Sequence, residues 1–318
     1  MPFKAANMRI SRAAGPGLKQ ERSLTDVSAM NDHDSVTADA LDSYLDKIQN
    51  LPPTPTLMIK LIELFRQADS DVDEVVKLMR RDPALSAEVL RRCNLSIFGD
   101  EEPVKDINDA LFRLGFYEVY RLAVSLFGMQ ALTLTKELKD FPAEALRRHS
   151  GITAIAAGLL AKEVGESEGI AFTVGLLHDV GKVALAAAEG PRYSALLQAC
   201  GQSGALLSSS EKTVFGFNHG EIGARLLIRW GVPDEISIPV SGHHHAEWSG
   251  SYERLVTVVD LANLLAHQLQ KNLAPKFQEL PAVQEAMHML GLEPEQIFVV
   301  QHQLRKTVAQ LPSLLATA

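Results

Sequence analysis

Cysteine is nearly absent. Cys93 and Cys200 are the only two in 318 residues, far apart and outside any metal-type or redox-type spacing, so neither a disulfide framework nor a thiolate metal site is indicated. Both read as reduced, mostly buried thiols. Positive charge is in deficit as well: 31 Lys and Arg stand against 39 Asp and Glu, a formal net charge of −8. No basic face therefore advertises direct nucleic-acid binding, and the pairs Arg80-Arg81, Arg91-Arg92 and Arg147-Arg148 read as solvated helix faces. No uninterrupted apolar run reaches the roughly 18 residues of a membrane span, and the leading segment lacks the apolar core of a secretory signal. The expectation is a cytoplasmic protein with no membrane association. Also missing are sustained two-residue alternation, a repeat of fixed period and low-complexity tracts.

What is present is helical periodicity. With 46% hydrophobic residues the chain can bury a sizeable core, and from Ser35 onward apolar residues return every three or four positions, which predicts an all-α fold. Residues 1–36 read as a flexible arm, within which Met30 offers a second plausible start, and they are too few to form a fused sensor or receiver domain. Residues 37–140 form a first helical part, in which "LPPTPTL" breaks one helix and "TLMIKLIELFRQ" begins the next. A second helical block covers 141–271, and 272–318 supplies two further helices. Within the second block, "PAEALRRHSGITAIAAGLLAKEVG" predicts a long helix ended by Gly165. "PRYSALLQACGQ" and "GALLSSSEKTVFG" are expected as separate helices. "NHGEIGARLLIRWG" opens with a capping box, Asn218 to Glu221, that puts His219 in the first turn. "HHHAEWSGS" reads as a loop, and "YERLVTVVDLANLLAHQLQK" as a long helix carrying Asp260.

The stretch "FTVGLLHDVGKVALAAA", Phe172 to Ala188, is oily except for His178, Asp179 and Lys182. A carboxylate buried without a partner costs several kcal/mol or more, so something must meet Asp179. His149 shares a helical face with Leu146, Ile152 and Ala156 and points inward, and Asp260 is flanked by Val256 and Leu264 one turn away on either side. With His219 and the run His243-His244-His245, these are the polar positions that fall where a helical block would otherwise be apolar or tightly turned. Imidazole plus carboxylate is a ligand set for divalent metals, and a shell of nitrogen and oxygen without thiolate suits Fe, Mn, Zn, Co, Ni or Mg. Each residue taken alone is more often a satisfied core residue than a ligand. Several in one block would each need their own partner.

The order His149, His178-Asp179, Asp260 resembles the H…HD…D signature of the HD superfamily of metal-dependent phosphohydrolases, with "GLLHDVGK" as its most specific fragment. Upstream, "LPPTPTLMIKLIELF", "LMRRDPALSAEVLRRCNLSIFG" and "DINDALFRLGFYEVYRLAVSLFG" are similar to the N-terminal helices of HDOD domains, the HD-related output domains of bacterial signalling proteins. The resemblance runs from about Leu41 to about Leu269 and implies an HDOD-type fold, an N-terminal helical subdomain packed on an HD-like bundle. His219 and the His243-His244 pair resemble the extra ligands of two-metal HD-GYP phosphodiesterases, but the following "AEWSGSYERL" contains no GYP. Ala145 also stands where some of those proteins carry a glutamate ligand.

By this resemblance His149, His178, Asp179 and Asp260 hold one metal, and Asp179 bridges to a second held by His219, His243 and His244. The ion would polarise a phosphoryl oxygen and lower the pKa of a water. Asp179 and Lys182 are then the catalytic candidates, Lys182 reaching a substrate phosphate or, equally, pairing with a nearby Asp. Three functions remain open. One is a regulator of bacterial signal transduction that binds one or two divalent ions, with a nucleotide or phosphate ligand and a signalling-protein partner. Another is a working metal-dependent phosphohydrolase or phosphodiesterase. The last is a metal-free interaction scaffold.

Overall fold

The computed structural model describes residues 38–46 and 72–79, five isolated positions between Ser86 and Ala110, and residues 141–309 apart from 204–205, 245–247, 249 and 272–276. The expectations for residues 1–36, for most of 47–140 and for His245 lie outside the described residues. Among the described residues every regular element is helical, in agreement with the all-α reading. Two short helices, α1 (Ala38–Asp46) and α2 (Val72–Met79), come from the first part of the chain.

The second block begins with α3 (Ala143–Val164) and α4 (Glu168–Leu177). α3 stops at Gly165, and Ser167 opens α4 by accepting a hydrogen bond from the Ile170 N–H. α5 (Val180–Ser203) follows after only two residues and is kinked at Gly190, whose φ of 35° and ψ of −108° suit glycine alone. Pro191 starts the second limb of the kinked helix. "PRYSALLQACGQ", expected as its own helix, is accordingly set off from the first limb by the non-helical backbone of Gly190.

Next come α6 (Leu207–Phe215), α7 (His219–Arg229) and α8 (Asp234–Gly242). The long α9 (Glu253–Lys271) is followed by one 3-10 turn, then by α10 (Pro281–Leu290) and α11 (Pro294–Ala309). α9 lies along α3, α7 crosses both α5 and α8, and the last two helices cover α9 and α3. Leu160, Leu177, Leu185, Leu226 and Leu265 lie at the centre of a continuous apolar core, to which Val283, Ile297 and Val300 of the tail also belong.

α1 is fastened across α7 by two ion pairs in matched spacing. Arg225 bonds both oxygens of Asp42 and Arg229 bonds Asp46, so an i, i+4 pair on one helix meets an i, i+4 pair on the other. Between them Tyr44 donates to Glu189 at 3.0 Å and packs edge-on against Phe217, two residues before His219. The stretch Glu168–Ser203 is long and apolar enough to cross a membrane, but 78% of its most apolar window is buried inside the fold, as expected of core helices.

The contact between α5 and α7 depends on glycine. A Cβ on Gly181 would lie 1.8 Å from the His219 carbonyl oxygen and 2.8 Å from the Gly223 nitrogen, so only a bare backbone permits the crossing. Gly181→Ala should therefore push α7 away and lower stability by about 2 to 4 kcal/mol. Gly201→Ala, where a Cβ meets nothing within 4 Å, should be neutral or stabilising by up to about 1 kcal/mol. Urea unfolding of both variants beside the unaltered chain checks the contrast.

Candidate metal centre

The fold delivers the polar residues from four places. His149 faces inward from the second turn of α3. His178 and Asp179 form the two-residue joint between α4 and α5 rather than the middle of one helix, and His178 keeps right-handed helical angles (φ −52°, ψ −35°). His219 is the first residue of α7. The capping box expected there is present: the Asn218 side chain accepts from the Glu221 N–H at 3.0 Å, and Glu221 accepts from the Asn218 N–H at 2.7 Å. His243 caps the C-terminus of α8 with φ −66° and ψ −2°, where the expected loop begins, and its Nδ1 bond to the Val240 carbonyl fixes its direction.

These groups converge on the Asp179 carboxylate, which is only 1% exposed. Its Oδ2 lies 3.4 Å from His178 Nε2 and 3.8 Å from His149 Nε2. Its Oδ1 lies 3.1 Å from His219 Nε2 and 3.9 Å from His243 Nε2. His244 stands at the exposed edge with its Nε2 2.7 Å from that of His219. Two donor sets result, His149, His178 and Asp179 on one side and Asp179, His219, His243 and His244 on the other. Within each, all donor atoms fall within 4.8 Å of one another.

The opposite nitrogen of each buried ring is held by an acceptor. His178 Nδ1 donates to the Gly175 carbonyl and His243 Nδ1 to the Val240 carbonyl, both at 2.7 Å. His149 Nδ1 meets Gln270 Oε1 at 3.2 Å, and His219 Nδ1 meets Glu211 Oε2 at 2.6 Å. A carbonyl oxygen can only accept, so the proton sits on Nδ1 and a neutral ring turns its Nε2 lone pair toward Asp179. The Nε2 atoms of His149, His178 and His243 and the Oδ1 of Asp179 are buried without a hydrogen-bond partner. Lone pairs facing a carboxylate repel one another unless a cation lies among them. Donors held about 2.1 Å from one ion stand roughly 3 to 4 Å apart, the spacing seen here.

Glu211 was not foreseen from the sequence. It is fully buried on α6, its Oε1 accepting from the Tyr193 hydroxyl at 2.7 Å and its Oε2 from both the backbone N–H and Nδ1 of His219. A carboxylate behind a ligating imidazole fixes the ring's tautomer and orientation. Burial pushes the Glu211 carboxyl up, but the His219 imidazole beside it outweighs this and holds it below the ordinary value. Burial likewise lowers His219, and Glu211 reverses the sign, leaving it raised. Asp179 is buried too, yet His178 and Lys182 hold it well below the usual carboxylate range. For His149, burial dominates and lowers the imidazole to about 3. The same cause lowers His243 well below its ordinary range.

Asp260 belongs to neither donor set. α9 runs antiparallel to α3: the His267 ring lies tilted against that of His149 at 4.4 Å and Gln270 bonds His149, while at the other end Arg254 bonds the Val164 carbonyl and Glu166. Asp260 stands seven residues before His267, about 10 Å along the helix, and burial alone pushes its carboxyl up to about 6. Lys182, half-buried, pairs with Asp179 Oδ2 at 2.7 Å.

The shifted imidazoles predict a pH dependence. Below the ordinary value of 6.5, His149 and His243 stay neutral in the fold but take up protons once unfolded. The unfolded chain then binds more protons, and stability rises with pH from about 3 to about 6.5. His219, raised, acts in the opposite sense: its contribution is complete below 6.5 and is lost as pH climbs through its folded value. Thermal unfolding in chelator should show a midpoint that climbs between about pH 5 and pH 6.5, each depressed His supplying up to ~1.4 kcal/mol per pH unit. His149→Gln and His243→Gln should each flatten that climb.

Comparison with known proteins bears on the family and the fold. The HDOD domain model matches residues 51–246. An uncharacterized protein of Treponema pallidum (strain Nichols) is 26% identical over 275 residues, spanning 85% of this chain and 51% of that protein. The chain thus covers about half the length of that curated relative. The fold is shared with an HDOD domain protein of unknown function from Geobacter sulfurreducens, at a TM-score of 0.64 and 20% identity, covering 88% of this chain and 97% of that one. It is shared too with a proposed phosphohydrolase from Shewanella amazonensis SB2B, at a TM-score of 0.63 and 24% identity, covering 86% and 94%. With the family match extending over more than half of its length, this all-helical chain belongs to the HDOD domain family.

Proposed function

We propose that this HDOD protein is a cytoplasmic regulator of bacterial signal transduction whose buried His and Asp cluster holds one or two divalent ions. One observation carries the metal reading: the unpartnered Nε2 atoms of His149, His178 and His243 face the unpartnered Oδ1 and the paired Oδ2 of a single buried carboxylate. Leaving several buried polar atoms unsatisfied costs about 1 to 3 kcal/mol each. A bound cation removes all of those costs together. Imidazole-rich donors with one carboxylate favour Fe, Zn, Mn, Co or Ni over ions that demand an all-oxygen shell, such as Mg. The signalling role, a partner protein and a nucleotide or phosphate ligand follow from the HDOD family resemblance.

A second reading, a metal-dependent phosphohydrolase, is favoured by the way Asp179 offers one oxygen to each donor set. Two ions sharing a carboxylate would supply Lewis-acid stabilisation to a phosphoryl group. In that reading Asp179 orients the donors, His244 marks the solvent-exposed edge, and the buried rings of His178 and His243 keep bulk water from the centre. Family membership alone does not choose between regulator and enzyme, because function resides in the site.

Protein purified without added metal should contain about one to two ions per chain, and Asp179→Ala should contain none. Elemental analysis measures this directly. A metal-free chain whose Asp179→Ala variant melts at an unchanged temperature would instead support the interaction scaffold. For the enzyme reading, hydrolysis of an aryl phosphodiester with added Mn²⁺ should disappear in Asp179→Ala.

A further inference from the structure

The two oxygens of Asp179 are not equivalent. Oδ2 already has a cation: Lys182 Nζ sits 2.7 Å away, on the same oxygen that the His178 and His149 Nε2 atoms face. Oδ1 has none. It is buried without a hydrogen-bond partner and faces His219 at 3.1 Å and His243 at 3.9 Å, with His244 adjoining His219. An ion entering on the Oδ1 side meets four donors and an oxygen with which the Lys182 ammonium is not paired. An ion entering on the Oδ2 side meets three donors, since Asp260 is not among them, and an ammonium a few ångströms away in a poorly screened interior.

Lys182 is built to leave. It stands three residues after Asp179, in the first turn of α5, with a side chain 18% exposed, so its long stem can swing to solvent without moving the backbone. An anion at the mouth of the site would pair with the ammonium there and free Oδ2. We propose that the two donor sets load unequally: the Oδ1 set takes the first ion, and Lys182 keeps the Oδ2 set closed to a second until an anionic, phosphate-type ligand draws the ammonium away. The inference rests on the metal reading above and adds an order of loading and a ligand-dependent step to it.

Calorimetric titration of the chelator-treated full chain with Mn²⁺ tests it. The unaltered chain should bind one ion tightly and a second about tenfold or more weakly. Lys182→Met, which keeps the stem and removes the charge, should bring the second affinity within a few-fold of the first. Lys182→Arg, which keeps a cation, should leave the gap in place. Inorganic phosphate should narrow the gap in the unaltered chain and leave Lys182→Met unaffected. His149→Ala should retain the tight ion and His243→Ala should lose it, with circular dichroism confirming that each variant is folded. Two equally tight ions in the unaltered chain, a gap unchanged in Lys182→Met, loss of the tight ion in His149→Ala, or phosphate without effect would each overturn the proposal. An unaltered chain that binds no Mn²⁺ or other divalent ion would overturn the metal reading itself, and this inference with it.

Discussion

The structure is organised around one electrostatic constraint, the burial of the Asp179 carboxylate among imidazoles. A lone charge at that depth is untenable, and a set of neutral rings cannot stabilise it while their lone pairs point toward it. Lys182 offsets part of the cost at Oδ2. The remainder requires a positive charge within reach of Oδ1, where His219, itself raised in basicity by Glu211, is the nearest group. A divalent ion among Oδ1 and the Nε2 atoms of His219 and His243 would answer that need.

Holding that arrangement shapes the surrounding fold. The joint at His178-Asp179 lets α4 end and α5 begin with both residues at the centre. Gly181 brings α7 against α5 closely enough for His219 to reach Asp179, and the Asn218 capping box fixes where α7 starts. Tyr193 and Glu211 form a buried chain behind His219, so the donor is set from two further helical segments. α1, clamped on the far half of α7 through Asp42 and Asp46, ties the first part of the chain to the helix that carries a donor.

Much of this was legible from sequence because it rests on local rules. Helical periodicity predicted the all-α class, and the glycine after α3 and the capping box before α7 marked boundaries that the structure reproduces. The polar intrusions at His149, His178, Asp179, His219 and His243 stood out against apolar surroundings, and all five are buried. What was not legible depends on register between distant segments. Glu211 sits in the polar sequence "LSSSEKTVF", which gives no hint that its carboxylate is fully buried. Gln270 and His267 reach His149 only because α9 runs antiparallel to α3, and Asp260, seven residues before His267, joins neither donor set. The direction of His243 could not be read from a loop-like sequence; it is set by the residue's place as C-cap of α8 and its bond to the Val240 carbonyl.

The most direct test of the account is a crystal structure of the chain grown with Mn²⁺ or Zn²⁺ and measured at the absorption edge of the ion. The account predicts an anomalous peak among the Nε2 atoms of His219 and His243 and the Oδ1 of Asp179, with bonds of about 2.0 to 2.2 Å. An ordered centre with no peak there, its Nε2 atoms bonded to water or to one another while the ion scatters elsewhere, would contradict it.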